Sequence, residues 1–225
     1  MAEDVREEVS EVANSLLDGK SHIKLLEAGC GSATHVRFKP MVHAVGIDIS
    51  KEQLDRNTVI QEKILGDIQE YPLPKEEYDV AVCWMVLEHL SRPRAALYNL
   101  FHSIKPQGLL ILGIPNLLSF KGVVTKFTPY WFHRFFYHLM KYKSRPFPTY
   151  LRLAILPKKI VRFATDNGFS VAYFKLLEGN QSVIVKKRFW FINMAFSVVD
   201  SLIRFLSFGK IPSLLLDNCF IVLRK

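Results

Sequence analysis

Short, strongly apolar segments recur along the first half of this chain, and segments with helical periodicity lie between them. The apolar segments cover residues 23–28, 41–47, 63–65, 78–84 and 109–114. The helical periodicity covers residues 3–18, 51–60 and 92–104. Because apolar runs that alternate with helices are typical of strands buried on both faces, this pattern predicts an α/β fold with a parallel sheet between two layers of helices.

The remainder of the chain predicts a helix at 158–167 and two strands at 171–177 and 219–223, which we expect to pair after a long excursion. A chain of 225 residues suits one domain, 1–225, with a lid insertion at 119–156 and an apolar helical insertion at 186–217. The three cysteines are odd in number and unclustered, which argues against a disulfide framework or a zinc site of the C-x-x-C type.

Charge and aromatic content divide the chain into two unlike halves. Residues 1–115 carry a net charge of −5, residues 116–225 carry +14, and fifteen of the 17 phenylalanines follow residue 115. A basic, phenylalanine-rich half favours an anionic partner with apolar content, such as a membrane surface, a lipid-like substrate or nucleic acid. A solvated basic face over an ordinary core explains the same composition equally well.

The end of the first predicted strand carries the sequence E-A-G-C-G, and Asp48 ends the second strand. In open α/β sheets ligands bind at the carboxyl ends of the strands. Glycines at 29 and 31 allow close approach of a ligand, and the Asp48 carboxylate can accept hydrogen bonds from both hydroxyls of a ribose. A dinucleotide and S-adenosylmethionine both fit these features.

Three details separate the two cofactors. A dinucleotide fingerprint requires a third glycine, but its position holds Thr34. Glu27 would repel a pyrophosphate, whereas it suits a ligand that carries a sulfonium and an amino group. Asp67, after the third strand, is placed to accept a hydrogen bond from an adenine amino group.

Five segments taken together resemble the class I S-adenosylmethionine-dependent methyltransferases of small-molecule type. They are E-A-G-C-G (27–31), G-I-D-I-S (46–50), G-D-I (66–68), Y-D-V-A-V-C-W-M-V-L-E-H-L (78–90) and K-P-Q-G-L-L-I-L-G-I-P-N (105–116). The resemblance implies a Rossmann-like seven-stranded sheet, mostly parallel with its last strand antiparallel, with helices on both faces and a helical lid. It also implies S-adenosylmethionine as cofactor and methyl transfer to an oxygen or nitrogen of a small apolar, aromatic or lipid-like acceptor. The cofactor-binding residues that it implies are Glu27, Ala28, Gly29, Cys30, Gly31, Asp48, Ile49, Ser50, Gly66, Asp67, Ile68, Cys83 and Trp84.

The V-L-E-H-L segment, residues 86–90, contains the candidate residues for a metal site and for a general base. In ubiquinone-type O-methyltransferases a similar E-x-x-E-H helps to hold a divalent metal, but the first glutamate position here is Met85. Two ligands make a poor site for a hard cation, so we expect no metal. His89 is a candidate general base, with helix capping or cofactor contact as the alternative. His133, in the aromatic segment of the lid, is a weaker candidate.

The second insertion contains a basic triplet, 186–188, followed by the apolar segment 189–208. Its polar residues Asn193, Ser197, Asp200, Arg204 and Ser207 recur at steps of four and three. This spacing predicts a helix with one narrow polar stripe, and its charges argue against a transmembrane span. A helix in a membrane interface, a cap over an apolar substrate pocket and a homodimer contact all fit.

Other functions stay open at this point. They are a nucleotide-cofactor oxidoreductase of the NAD type, a nucleic-acid methyltransferase and a non-catalytic cofactor-binding scaffold. Nucleic acid is disfavoured as a partner because the chain lacks the N/D-P-P-Y/F/W and Pro-Cys motifs of DNA methyltransferases. The N-terminal segment is acidic and lacks the features of a signal peptide, so we expect a cytoplasmic protein, with membrane association left open.

Overall fold

The computed structural model describes residues 2–129, 131, 138, 149–150, 152–188, 190–209 and 211–225. The strands are β1 (His22–Ala28), β2 (Met41–Asp48), β3 (Glu62–Leu65), β4 (Tyr78–Trp84), β5 (Ile104–Pro115), β6 (Ser170–Leu177) and β7 (Asn218–Arg224). The α-helices are α1 (Ala2–Leu16), α2 (Lys51–Arg56), α3 (Pro93–Ser103), α4 (Phe120–Phe127), α5 (Pro157–Asp166), α6 (Asn180–Arg188) and α7 (Trp190–Leu206). Two short 3-10 helices cover Leu87–His89 and Leu153–Ile155.

The seven strands form one sheet in the order β3-β2-β1-β4-β5-β7-β6. β1 pairs in parallel with both β2 and β4, whereas β7 runs antiparallel to β5 and to β6. Six strands therefore share one direction and the last strand opposes them. The predicted Rossmann-like fold with an antiparallel final strand is confirmed, and the strand order reverses between β1 and β4, where a parallel sheet opens a crevice for ligands.

A separate hydrophobic core lies on each face of the sheet, because consecutive residues of a strand point to opposite sides. The register shift between Tyr78 and Val80 interrupts this alternation once in β4. In β4, Val80, Val82 and Trp84 enter one core, and Tyr78, Ala81 and Cys83 enter the other. Helices α1 and α2 cover the first core, and α3 and α5 cover the second. This central strand is buried along its whole length, as its continuous apolar sequence predicts.

Two predicted elements have different bounds for local reasons. Helix α2 ends at Arg56 rather than at 60, because the Asn57 side-chain oxygen accepts hydrogen bonds from the backbone of Val59 and Ile60 and turns the chain. Strand β5 begins at Ile104 rather than at 109, since Ile104 pairs with Tyr78 before a register shift.

Helix α6 was not predicted from the sequence. Its first turn is held by Asp217, whose carboxylate accepts hydrogen bonds from Gly179 N and, at 2.6 Å, from Ser182 Oγ. The lid segment 119–156 is described only at α4, at the second 3-10 helix and at a few single positions. The lid assignment and the single-domain assignment stay predictions.

Candidate active site

The glycine loop after β1 turns sharply at the crevice. Gly29 and Gly31 both adopt positive φ angles, 68° and 50°, which glycine tolerates best. Gly29 N donates a 2.8 Å hydrogen bond to Ile47 O, so the loop is tied to the end of β2. A Cβ atom at Gly29 would lie inside the van der Waals contact distance of Val86, which follows β4. The loop therefore packs between two strand ends with its backbone exposed to a ligand.

Asp48 organises the opposite wall of the crevice. One carboxylate oxygen accepts a 2.9 Å hydrogen bond from Gly31 N, and the other accepts a 2.8 Å hydrogen bond from Ser50 N. Ser50 in turn caps the N-terminus of α2 through a hydrogen bond from Gln53 N. Between them, Ile49 exposes 76% of its surface. The wall therefore offers a fixed carboxylate beside an uncovered apolar side chain.

Glu27 is a buried carboxyl of the site with a strongly perturbed pKa. It is only 2% exposed at the end of β1, and burial raises the pKa of its carboxyl to about 7, although a hydrogen bond from His35 N opposes the shift. Its Oε2 atom has no hydrogen-bond partner among the described residues. Because an unpaired buried carboxylate is costly, this oxygen is suited to a cationic ligand that enters the crevice.

The turn after β3 adds a third carboxylate. Gly66 N donates to Asp48 O at 3.0 Å, which places this turn beside Asp48. Asp67 accepts hydrogen bonds from the backbone and side chain of Gln69, at 2.9 Å from each nitrogen. Ile68 is buried in the core, so its backbone rather than its side chain faces the crevice edge.

The end of β4 forms the other side of the crevice. The Trp84 ring stacks on His35 with 5.7 Å between centroids and packs on Phe220 at 4.7 Å. Cys83 is fully buried and burial raises the pKa of its thiol, and burial raises the pKa of the Cys30 thiol to about 12. Both thiols are protonated at neutral pH and neither is suited to act as a nucleophile. Any contact of Cys83 with a ligand depends on its backbone.

A cavity of about 110 Å³ opens beside Trp84, at the edge of the sheet where the parallel strands end. Its lining residues are Val5, Arg6, Trp84, Met85, Leu177, Glu178, Gly179, Asn180, Asn218 and Phe220. Met85 holds a positive φ angle of 54°, which is uncommon for a residue with a side chain. Apolar walls with a few polar side chains are typical of a site for a small organic molecule.

The sequence predicts two candidate general bases, His89 and His133. His89 lies at the end of the 3-10 helix after β4, with its Nε2 atom 3.9 Å from Glu88 Oε1, and it does not line the cavity. His133 lies outside the described residues. Glu88 is buried, burial raises the pKa of its carboxyl to about 7, and its Oε2 atom has no partner in the described part of the chain.

No group of three or more His, Cys, Asp or Glu side chains among the described residues has the geometry of a metal site.

A doubly wound sheet with a glycine loop and acidic side chains at its switch point defines a Rossmann-like domain for a nucleoside-containing cofactor. Comparison with known proteins identifies the family, because a family model described as a methyltransferase domain matches residues 1–147. The chain belongs to this family, within the class I S-adenosylmethionine-dependent methyltransferases.

Two relatives and one solved structure illustrate the similarity. The mitochondrial ubiquinone biosynthesis O-methyltransferase of Schizosaccharomyces pombe is 34% identical over 101 residues, which cover 40% of this chain and 36% of that protein. An uncharacterised methyltransferase of the same yeast is 32% identical over 114 residues, which cover 43% of this chain and 41% of the relative. A SAM-dependent methyltransferase from Archaeoglobus fulgidus superposes with a TM-score of 0.56 at 14% identity, and the match covers 100% of this chain and 95% of that one. The chain spans less than half the length of the two yeast relatives.

S-adenosylmethionine is the cofactor of this family, and the residues present fit it. The unpaired Glu27 oxygen matches a ligand with an ammonium and a sulfonium group. Asp48 and Asp67 lie at neighbouring strand ends, as ribose and adenine contacts require, and the uncovered Ile49 side chain offers an apolar surface to the adenine ring. The individual assignments from Glu27 to Trp84 stay predictions.

Sequence reasoning missed several residues that the fold brings to the site. His35 stacks on Trp84, and burial lowers the pKa of its imidazole to about 4, so the ring is neutral. Arg6 and Phe220 reach the cavity from opposite ends of the chain. The phenylalanine enrichment of the second half was the signal for Phe220, whereas nothing in the sequence distinguishes Arg6 from other lysines and arginines.

Proposed function

We propose that this protein is an enzyme that transfers a methyl group from S-adenosylmethionine to an oxygen or nitrogen of a small apolar acceptor. The observation that carries the proposal is the small, largely apolar cavity beside Trp84, at the same sheet edge as the glycine loop. The apolar part of its lining, from Val5, Trp84, Met85, Leu177 and Phe220, favours a small apolar group as the part of the acceptor that enters. The ubiquinone biosynthesis O-methyltransferase relative, whose name specifies an oxygen acceptor, supports the same class.

The reaction requires alignment more than side-chain chemistry. When bound, S-adenosylmethionine supplies an activated methyl group, and its transfer to the acceptor's lone pair leaves the sulfur as a neutral thioether. The cavity walls hold the acceptor in line with that methyl group and keep water out. The acceptor's proton leaves to a base or to solvent, and Glu178 is the carboxylate in the cavity lining. Its Oε1 atom lies 2.6 Å from Lys186 Nζ, and this ion pair orients the carboxylate.

The decisive experiment incubates the purified protein with methyl-labelled S-adenosylmethionine and separate pools of phenols, quinols, apolar amines and RNA. We expect label in a phenol, quinol or amine pool. Label in the RNA pool alone would replace the proposal by its nucleic-acid alternative.

A variant pair locates the acceptor. Asn180→Phe places a bulky ring at the exposed edge of the cavity, so we expect a raised KM for the acceptor and an unchanged affinity for S-adenosylhomocysteine. Lys159→Phe is the matched control, because Lys159 is exposed on α5, on the other face of the sheet. Equal acceptor kinetics in both variants would remove the cavity from the reaction.

A further inference from the structure

Helix α7 turns an apolar face to solvent. Met194, Val198, Leu202 and Phe205 recur at steps of four, four and three, and they expose 59%, 63%, 55% and 78% of their surfaces. We call these four residues the outer face of α7. Trp190 at the start of the helix and Phe208 after its end are also largely exposed. The uncovered apolar surface therefore runs along the whole length of the helix.

The middle of the polar stripe of the same helix points into the protein at Asp200, whereas Arg204 of that stripe is exposed. Asp200 is buried, and its carboxylate accepts hydrogen bonds from Ser213 Oγ at 2.9 Å and Leu214 N at 2.6 Å. Phe196, on the same side, stacks on Phe120 of α4 with 4.5 Å between ring centroids. A surface helix of a globular protein normally has the opposite orientation, with its apolar stripe on the core. An apolar face of this extent marks a surface that binds a partner.

Charge around the outer face indicates the chemistry of that partner. Between residues 181 and 216 the sequence holds five lysines and arginines and a single acidic residue, the buried Asp200. Lys187 and Arg188 are exposed immediately before α7, and Arg204 is exposed within it. Lys186 forms an ion pair with Glu178, so the positive charge beside the bulky apolar side chains comes from the exposed Lys187, Arg188 and Arg204.

We propose that the outer face of α7 docks on the surface of an anionic lipid bilayer. Apolar side chains that enter the interface, together with basic residues on the headgroups, are the two signals that stable membrane association requires. In the part of the chain that the structure describes, no helix is both long enough and apolar enough to span a membrane. In this arrangement the helix lies in the interface plane and is held to the protein by the contacts of Asp200 and Phe196.

A second copy of the chain is the competing occupant, and the charges argue against it. A symmetric dimer through the outer face would bring two basic segments together with no exposed acidic residue between 181 and 216 to offset them. An anionic membrane surface, in contrast, is complementary to that charge.

Docking would place the bilayer next to the acceptor site. A second cavity, of about 460 Å³, is lined by Glu178, Val183, Lys186, Lys187, Trp190 and Leu215, and it shares Glu178 with the cavity beside Trp84. The start of α7 therefore borders a cavity that has one wall residue in common with the cavity beside Trp84.

Flotation on lipid vesicles tests the proposal without cofactor or acceptor, so its outcome is independent of the proposed reaction. The full chain is mixed with vesicles of phosphatidylcholine alone, or with a quarter of phosphatidylserine, at low and at high salt. We expect the protein to float with the anionic vesicles and to be released partly by salt. Lys187→Glu with Arg188→Glu should weaken binding by at least about fivefold for each charge.

The apolar contribution is tested by the triple variant Val198→Gln, Leu202→Gln and Phe205→Gln, which should abolish flotation. The matched control replaces three exposed apolar residues elsewhere, Met41→Gln, Val59→Gln and Tyr98→Gln, and should float like the wild type. An unchanged thermal shift with S-adenosylhomocysteine shows that each variant is folded.

Two results would overturn the proposal. One is the absence of flotation of the wild-type chain with anionic vesicles, or continued flotation of the triple variant. The other is a dimer in sedimentation that the triple variant dissociates while no form binds vesicles, because this would assign the outer face to a second copy.

Discussion

Replacing Glu27 with glutamine should raise the free energy of unfolding of the unliganded protein and lower its affinity for S-adenosylmethionine. Burial moves the pKa of this carboxyl from 4.5 to about 7. A raised pKa means that the folded state resists ionisation, so Glu27 costs no stability below pH 4.5 and becomes a penalty as the pH rises through 7. The difference corresponds to roughly 3 kcal/mol when both states are ionised. We expect Glu27→Gln to raise the free energy of unfolding at pH 8 by up to this amount.

The same titration should control binding of S-adenosylmethionine. Its positive groups are attracted by the ionised carboxylate, and with a pKa of about 7 the ionised fraction rises about fifteenfold between pH 5.5 and 7. The ligand's amino group, with a pKa near 7.7, stays protonated over this range, so the slope belongs to the protein. We expect the association constant of the wild type to rise accordingly, and that of Glu27→Gln to stay flat and low.

Calorimetric titrations from pH 5.5 to 7 measure the predicted pH dependence of the affinity. Unfolding curves of the unliganded proteins measure the predicted change in stability. Glu88→Gln is the matched control, since Glu88 is equally buried, has a pKa of about 7 and also holds an oxygen without a partner among the described residues. The reasoning is refuted by a wild-type affinity that is constant with pH, or by a slope that Glu88→Gln removes and Glu27→Gln keeps.

Three further substitutions test other parts of the structure. Asp48→Asn should weaken S-adenosylhomocysteine about thirtyfold in calorimetry, because charge-assisted hydrogen bonds contribute roughly 2 kcal/mol; equal affinity would exclude Asp48 from the site. Ile49→Ala should weaken the same ligand about fivefold and leave the melting temperature unchanged, since Ile49 is exposed; a lowered melting temperature would contradict this. Asp79 lies at the other end of β4. Burial by itself would raise the pKa of its carboxyl, but the ion pairs with Lys20 and Lys105 outweigh burial and lower the pKa to about 2. Asp79→Asn should cost about 2 kcal/mol of stability at pH 7, an advantage that the wild type loses between about pH 4 and 2, and should leave cofactor affinity intact; denaturant unfolding at pH 7 and pH 2 decides this.

The sheet and its ligand loops could be predicted because their signals are local. Gly29 follows directly on β1 and Asp48 is the last residue of β2, and parallel strands bring such positions to one edge of the sheet. The cavity could not be predicted in this way, since Arg6 and Phe220 are far apart in the chain. Helix α6 was missed for the same reason, because its cap comes from Asp217, 38 residues beyond Gly179.

The orientation of α7 shows a different limit. Helical spacing tells which residues share a face, and the polar stripe that contains Asp200 was found correctly by that spacing. The period does not tell which face turns inward. Asp200 decides this through partners 13 and 14 residues downstream, so the apolar face is left outside by a contact that no periodicity contains.

The number of hydrogen-bond partners distinguishes two kinds of buried carboxylate, those with both oxygens paired and those with one oxygen unpaired. Asp79, Asp200 and Asp217 are buried, and both oxygens of each accept hydrogen bonds from described residues. Glu27 and Glu88 are equally buried, yet each has one oxygen without a partner in the described part of the chain. Glu27 lies in the glycine-loop motif and Glu88 in the V-L-E-H-L segment, whereas Asp200 and Asp217 lie outside the segments that carried the family resemblance and Asp79 lies at the far end of one of them. Because an unpaired buried oxygen lowers stability, its occurrence at Glu27, in the wall of the crevice, is best explained by a contact that forms when ligand enters.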